Sequence, residues 1–295
     1  MRVTETAVAN EYLSAVNLTR EQIVKLQSQL ATGKRVLAMS DDPEAGSVIL
    51  RLRAALDENA QYQKNVAAGQ SMMEETSSAL DGLSNLLNQA KETLTQAGNG
   101  SQTESYPLFA DQLDQIIGEA VDLANTKFNG KYIFGGTNTL DVPYTLASDH
   151  SAVTKNPNGV SGAITYAVGN GVAQQANIDG DSVFQGTTVF DTLIRIKNSL
   201  QAGTAPSPTD VDAVTSMIDN VNACASKAGV ILQSFDIFSS RLADENTQLM
   251  SLQSDQQDTD VAEATLKLKT DETMLDAALN TGAQILPMSL LDFLK

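Results

Sequence analysis

Few side chains in this chain of 295 residues could do covalent or metal chemistry. There is one cysteine, Cys224, and one histidine, His150. A thiol nucleophile wants a histidine beside it. Cys224 lies in a helical stretch and His150 in a turn-rich segment, so Cys224 reads as a small packing residue. A lone cysteine also excludes an internal disulfide and a CxxC metal site. Asp141, Asp149 and Asp179 join His150 as conceivable ligands, but their spacing fits no zinc or calcium pattern and they read as solvated loop residues. Glu74–Glu75 and the acids from Asp255 to Asp260 could serve acid–base catalysis only by converging in a pocket. On long helices or at a helix break they read as solvated faces. The stretch "VGNGVAQ" lacks the third glycine of a dinucleotide loop and reads as a turn between strands. Asn17 and Asn99 head short glycosylation-type tripeptides that arise by chance. No cofactor, no metal and no catalysis are expected.

Charge narrows the partners. The net charge is −17, from 36 acids against 19 bases. Binding phosphate backbones needs clustered Lys and Arg, and the densest basic spots are only Gly33–Arg35 and Leu266–Lys269. Neither nucleic acid nor an anionic membrane is an expected partner. No apolar run approaches the ~18 residues that cross a bilayer, so membrane insertion is not expected either. The first twenty residues carry no continuous apolar core of a cleavable signal, so export would use another route.

The elements that position these residues are mostly helices. Proline costs about 3 kcal/mol inside a helix, and none lies between Pro43 and Pro107 or between Pro208 and Pro287. Residues 7–31 repeat Ala9, Val16, Ile23 and Leu30 every seven positions, with Tyr12, Thr19 and Leu26 as companions. Leu13, Leu18 and Val24 lie off that seam and make a second apolar face. In "MSDDPEAG" Asp42 suits an N-cap, Pro43 the first helical turn, and Glu44 the positive helix end. From there Leu52, Asn59, Val66, Met73, Leu80, Leu87 and Leu94 form one row. Ala55, Tyr62, Gly69, Thr76, Leu83, Ala90 and Ala97 form the other. Such register predicts a coiled-coil-like helix ended by "GNGS". A third helix is expected over 104–128.

Nine of the 19 glycines fall between Asn129 and Phe190. Short β-prone runs ("KYIFGGT", "PYTL", "AITYAVGN", "ANIDGDSVFQG") predict a β-rich insert, with Asp179–Gly180 as a hairpin turn. Helices resume over 190–201, a linker covers 202–210, and heptads return. Val211, Ile218, Ala225 and Leu232 form one row; Val214, Val221, Ala228, Phe235 and Leu242 the other. Polar "SDQQDTD" interrupts, and a last helix over 261–286 carries Val261, Leu268, Leu275, Thr265 and Leu279, with Leu266 and Met274 off its seam. The chain therefore reads as mainly α with a β-rich insert, its first and last helices side by side. The apolar finish Leu290, Leu291, Phe293 and Leu294 implies a partner that covers it.

Several stretches together resemble one family. "LATGKRVLAMSDDPEAGSVI" is similar to the flagellin-family segment joining the two N-terminal helices, through Leu30, Gly33, Arg35, Asp41, Asp42, Pro43 and Gly46. "MRVTETAV", "FNGKYIFGGTNTLDVPY", "IDGDSVFQG", "DTDVAEA" and "SLLDFL" resemble its hook-associated protein 3 branch. The resemblance implies an elongated flagellin-like bundle with a small β domain at the far end. It divides into axial helices (1–42 and 256–295), a long bundle (43–128 and 190–255) and an outer insert (129–189). It implies an exported axial protein of the bacterial flagellum at the hook–filament junction, or else a short flagellin. The implied partners are further copies of itself in a ring-like zone, an adjacent hook-associated protein, flagellin, and an export chaperone at the C-terminal region. The expected interface residues are Leu13, Leu18, Val24, Leu26, Leu30, Leu266, Leu268, Met274, Leu275, Leu279, Leu290, Leu291, Phe293 and Leu294. Asp41, Asp42 and Pro43 form the inter-helix turn. The first and last helices are expected to be loosely ordered alone and to fold on assembly.

Overall fold

A computed structural model describes residues 2–99 and 103–293, and side chains outside 2–6, 8, 103 and 284–293. Among the described residues seven α-helices and three hairpins follow in order: α1 (Arg2–Thr32), α2 (Pro43–Gly98), α3 (Tyr106–Ala124), the hairpins, α4 (Gly180–Phe184), α5 (Thr188–Gln201), α6 (Pro208–Gln257) and α7 (Val261–Phe293). The chain forms two compact units, residues 59–244 and residues 1–58 with 245–295.

In the larger unit the heptad rows of α2 are its buried side. Met73, Leu80, Leu87, Leu94, Ala90 and Ala97 have no exposure. On α6 Val214, Val221, Ala228, Phe235 and Leu242 answer them. The pair is antiparallel: Asn59 Nδ2 donates to Leu242 O (3.2 Å), Gln70 Nε2 to Asp236 Oδ1 (2.9 Å), and Ser84 Oγ to Asn222 Oδ1 (3.0 Å). Helices α3 and α5 add Leu113, Ile117, Leu193 and Ile196 to the same core.

The insert holds three two-stranded antiparallel hairpins rather than one sheet. They are β1–β2 (Lys127–Phe128, Lys131–Tyr132), β3–β4 (Tyr144–Leu146, Val153–Lys155) and β5–β6 (Thr165–Gly169, Val172–Gln175). The expected turn in "VGNGVAQ" joins β5 to β6. Packing comes instead from an aromatic cluster, in which the Phe184 centroid lies 5.0 Å from Tyr144, 5.1 Å from Phe190 and 5.6 Å from Phe134. Buried Asn177 ties the segment before β5 to the end of β6: its Oδ1 accepts from Ile164 N (2.7 Å), its Nδ2 donates to Gly162 O (2.9 Å), and its carbonyl accepts from Gln175 Nε2 (2.8 Å).

Four sequence expectations need correction. Asp179–Gly180 is no hairpin turn: Asp179 caps α4 by accepting from Ser182 N at 2.8 Å. Gly180 N donates to Phe134 O and Val160 O, a long-range pairing that selects the cap over the turn. Helix α3 stops at Ala124, and Lys127–Phe128 is strand, because Asn125 turns to bond both Tyr144 O (2.7 Å) and Tyr144 N (3.1 Å). Helix α6 begins at Pro208, inside the expected linker, with Pro at the tolerated first position. The polar interruption is only 258–260, since α6 runs on to Gln257, and α7 continues past Leu286 to Phe293.

Candidate assembly interface

The smaller unit is built around the pairing of α1 with α7. Gly33, at φ +70, ends α1 in the left-handed conformation that glycine adopts without strain. Beyond it the chain meets the α6–α7 break: Thr259 N donates to Gly33 O (2.9 Å), Arg35 N to Gln257 O (2.7 Å), and Lys34 bridges Asp258. At the other end Tyr12 Oη donates to Ala278 O at 2.5 Å. Early α1 thus meets late α7, and the pair is antiparallel.

The "DDP" turn is held by hydrogen bonds to both aspartates. Asp42 Oδ1 accepts from Ala45 N (3.0 Å) and caps α2, while its Oδ2 holds Arg35 at 3.0 Å. Arg35 Nη2 also donates to Gln256 O (3.0 Å), tying the turn to the end of α6. Asp41 Oδ2 accepts from Ala38 N (3.0 Å) and Leu37 N (3.1 Å), and Lys25 sits 3.1 Å from its other oxygen. The amide bond from Ala38, then Lys25, hold the Asp41 carboxyl below the usual carboxylate range. The Ala45 amide and Arg35 do the same for Asp42. Beneath the turn Val36, Ala45 and Ile49 form a small separate core.

The expected interface residues fall into three groups. Leu26, Leu30, Leu268 and Leu275 are half-buried along α1 and α7. Leu13, Leu18, Val24, Leu266, Met274 and Leu279 are exposed, Val24 to 64% and Leu266 to 71%. Leu13 and Val24 lie eleven residues apart, about three turns, and share a stripe; Leu18 lies on another side. Leu266 is two residues from buried Ala264 and so faces away from it. Leu290, Leu291 and Phe293 belong to α7, but their side chains lie outside the described residues, as does Leu294 altogether. The inward row of α7 also differs from the expected one. Val261, Thr265 and Leu279 are exposed, and Ala264 and Gly282 are buried in their place. Small residues stand beside Leu268 and Leu275 in that row, and a search for large apolar repeats passes over the small ones.

Sequence reading missed Leu37, Met39 and Leu50, large apolar side chains left about half exposed in and beside the turn. The signal available was the apolar run "VLAM" inside a segment otherwise written as a turn. It also took His150 for a solvated residue. His150 Nδ1 lies 2.7 Å from Asp114 Oδ2, and buried Lys197 bonds Asp114 Oδ1 (3.0 Å) and His150 O (2.7 Å). Burial works against the Asp114 charge, but Lys197 and His150 outweigh it and hold the carboxyl below its ordinary value. Asp141, Asp149, Glu74 and Glu75 are exposed. Among the described residues no cluster of His, Cys, Asp and Glu is arranged to hold a metal, and no helix is long and apolar enough to cross a membrane. Burial pushes the Cys224 thiol up from its ordinary value.

Comparison with known proteins bears on what such a surface is for. The sequence profile of the bacterial flagellin N-terminal helical region matches residues 3–139. Flagellar hook-associated protein 3 of Salmonella typhimurium is 31% identical over 183 residues, 60% of this chain and 57% of that protein. The match thus spans less than two thirds of the Salmonella relative. Flagellar hook-associated protein 3 of Escherichia coli is 25% identical over 235 residues, 75% of this chain and 74% of the relative. A structure assigned to a flagellar hook-associated protein of Vibrio parahaemolyticus has the same fold, with a TM-score of 0.66 at 21% identity over 74% of this chain and all of that one. Helices from both ends of the sequence, clasped at the "DDP" turn, accompany these likenesses: over residues 3–139 the chain is similar to the flagellin N-terminal helical region, and over part of its length to two hook-associated proteins of type 3.

Proposed function

We propose that this chain is a structural, non-catalytic subunit of the bacterial flagellum that joins hook to filament. It does so by self-assembly through α1 and α7. The observation that carries the reading is the exposed apolar flank of the clasped pair: Leu13, Val24, Leu266 and Met274 face outward from helices that already have each other as partners. Covering a large apolar side chain contributes about 1.5–3 kcal/mol before the costs of association. The match to two hook-associated proteins of type 3 supports the junction in particular.

In this reading residues 1–42 and 256–295 form the axial core of a ring-like zone, 43–128 and 190–255 a long helical bundle, and 129–189 an outer insert. The neighbours are further copies, an adjacent hook-associated protein and flagellin. The chain reaches the cell exterior through the flagellar type III apparatus, and a chaperone holds the apolar segment around Leu290, Leu291, Phe293 and Leu294 beforehand. The thin core of the α1–α7 pair suits helices that gain order when neighbours cover them.

Immunogold labelling of intact flagella with an antibody against residues 140–186 tests this. One narrow band where hook meets filament is expected. Label along the whole filament would make the chain a flagellin. Absence of label from flagella would overturn both readings.

A further inference from the structure

Heptad rows that hold two helices together leave their alignment ambiguous. Sliding α1 by seven residues puts Val16 where Ala9 stood and Ile23 where Val16 stood. Apolar contact alone discriminates poorly between such registers, and a single unlike position can decide among them. In the α1–α7 pair that position is occupied by Tyr12. Its ring and hydroxyl fill the space a Cβ on buried Gly282 would need. The same hydroxyl donates to Ala278 O at 2.5 Å, one turn earlier on α7. A slip of seven residues would set Tyr12 against Leu275 or Ser289, each of which carries the Cβ that Gly282 lacks.

The clasp between Gly33 and Thr259 also fixes the register, but only at its own end. Gly282 lies 23 residues further along α7, about 35 Å away at 1.5 Å per residue. A second glycine–aromatic pair fastens the other long pair. A Cβ on Gly69 would lie 2.5 Å from the Phe235 ring, and slipping by seven would face that ring with Tyr62 or Thr76. Gly69 stands in an otherwise regular heptad row, so the break in the row is the notch.

We propose that Tyr12 and Gly282 form a register key, a ring in a glycine notch that admits one alignment of α1 on α7. Leu13 adjoins Tyr12, and Leu279 lies between Ala278 and Gly282, so the key also brings those two exposed residues to one level. The consequence for assembly rests on the junction reading; the key itself does not.

Spin labels at Leu13→Cys and Leu279→Cys in a Cys224→Ala chain measure the alignment by dipolar spectroscopy. One narrow distance is expected from the paired helices of the parent, beside any broad background from helices that have not gained order. Gly282→Leu is expected to add a population displaced by about 10 Å, seven residues of rise, or to spread the distribution. Adding Tyr12→Ala, which makes room for the new leucine, is expected to restore the single narrow distance. This rescue separates a key from simple loss of folding, and unchanged melting of residues 59–244 checks the rest of the chain. A parent with several discrete distances, a Gly282→Leu chain that keeps one unshifted peak, or a double variant no narrower than Gly282→Leu would overturn the proposal. A keyed pair in a chain that gives no junction band leaves the key standing and removes the assembly reading.

Discussion

Residues 59–244 bury Leu80, Leu87, Leu94, Phe184 and Phe190 completely, in one continuous core that runs from the helices into the insert. Residues 1–58 and 245–295 bury only Val16, Ile23, Val36, Ala45, Ile49 and Ala264 among their described apolar side chains. They leave Leu13, Leu18, Val24, Leu37, Met39, Leu50, Leu266, Met274 and others in solvent. The same residue types serve two ends. Heptad rows in α2 and α6 are consumed by the chain's own core. In α1 and α7 one narrow row makes the pair and the rest is left over. Exposed apolar residues scattered singly need no explanation, but concentration in the region with the thinnest core marks a surface that expects company.

This contrast can be tested by breaking each side of it. The largest effect belongs to the deep core. Phe190→Ala removes a fully buried ring that stacks on Phe184 at 5.1 Å, and should cost about 3–5 kcal/mol in urea denaturation. A loss below about 1 kcal/mol would mean that the insert does not melt with the helices. Asp114→Asn comes next. It strips the ion pair from Lys197, whose side chain is only 5% exposed, and should cost about 2 kcal/mol. The sign with pH follows from the lowered Asp114 titration. Its contribution is present above the unfolded carboxylate value, near pH 4, and is lost as pH falls through the folded one. Thermal melts of the parent should fall more steeply below about pH 4 than those of Asp114→Asn. Parallel curves would show that the carboxylate does not carry the coupling.

What the sequence disclosed follows the same divide. The α2 rows were legible because a period repeated over six heptads is a local signal that no single residue can spoil. The exposed placement of Leu13, Leu18, Val24 and Leu266 follows from their lying off the seam. Illegible features were those decided by distant partners. "DG" satisfies a hairpin turn and a helix N-cap equally well, and the choice at Asp179 was made by backbone at Phe134 and Val160. Asn125, Asn177 and His150 have partners, Tyr144, Ile164 and Asp114, that lie 19, 13 and 36 residues away in the sequence and that only the fold brings to them. The α7 seam hid for another reason: Ala264 and Gly282 pack because they are small, and hydrophobic periodicity weighs size.

A smaller effect tests how tightly the deep core is satisfied. The Tyr144 hydroxyl is buried beside Gly180 with no hydrogen-bond partner among the described residues. Burial, then the charges of Asp181 and Asp179, push its titration well above the normal tyrosine range. Removing an unpaired buried polar group relieves its desolvation, so Tyr144→Phe should raise stability by up to about 1 kcal/mol. A loss of that size would reveal a bond made through the hydroxyl.

The smallest expected change in stability carries the most weight for function. Leu18→Gln and Leu266→Gln alter side chains that are 57% and 71% exposed. In the free chain each should shift unfolding by no more than about 0.5 kcal/mol, the usual scale for surface sites. In a cell whose own copy is replaced, the same changes should weaken or abolish the junction band, because the partner loses apolar surface it would have covered. The two measurements separate the explanations. A variant that unfolds early was packed within its own chain, and the contrast between the units would fail at that residue. A variant that folds normally and still reaches the junction at parental levels would show that its side chain faces no neighbour. Only normal folding with lost assembly assigns the leftover apolar faces of α1 and α7 to contacts between subunits.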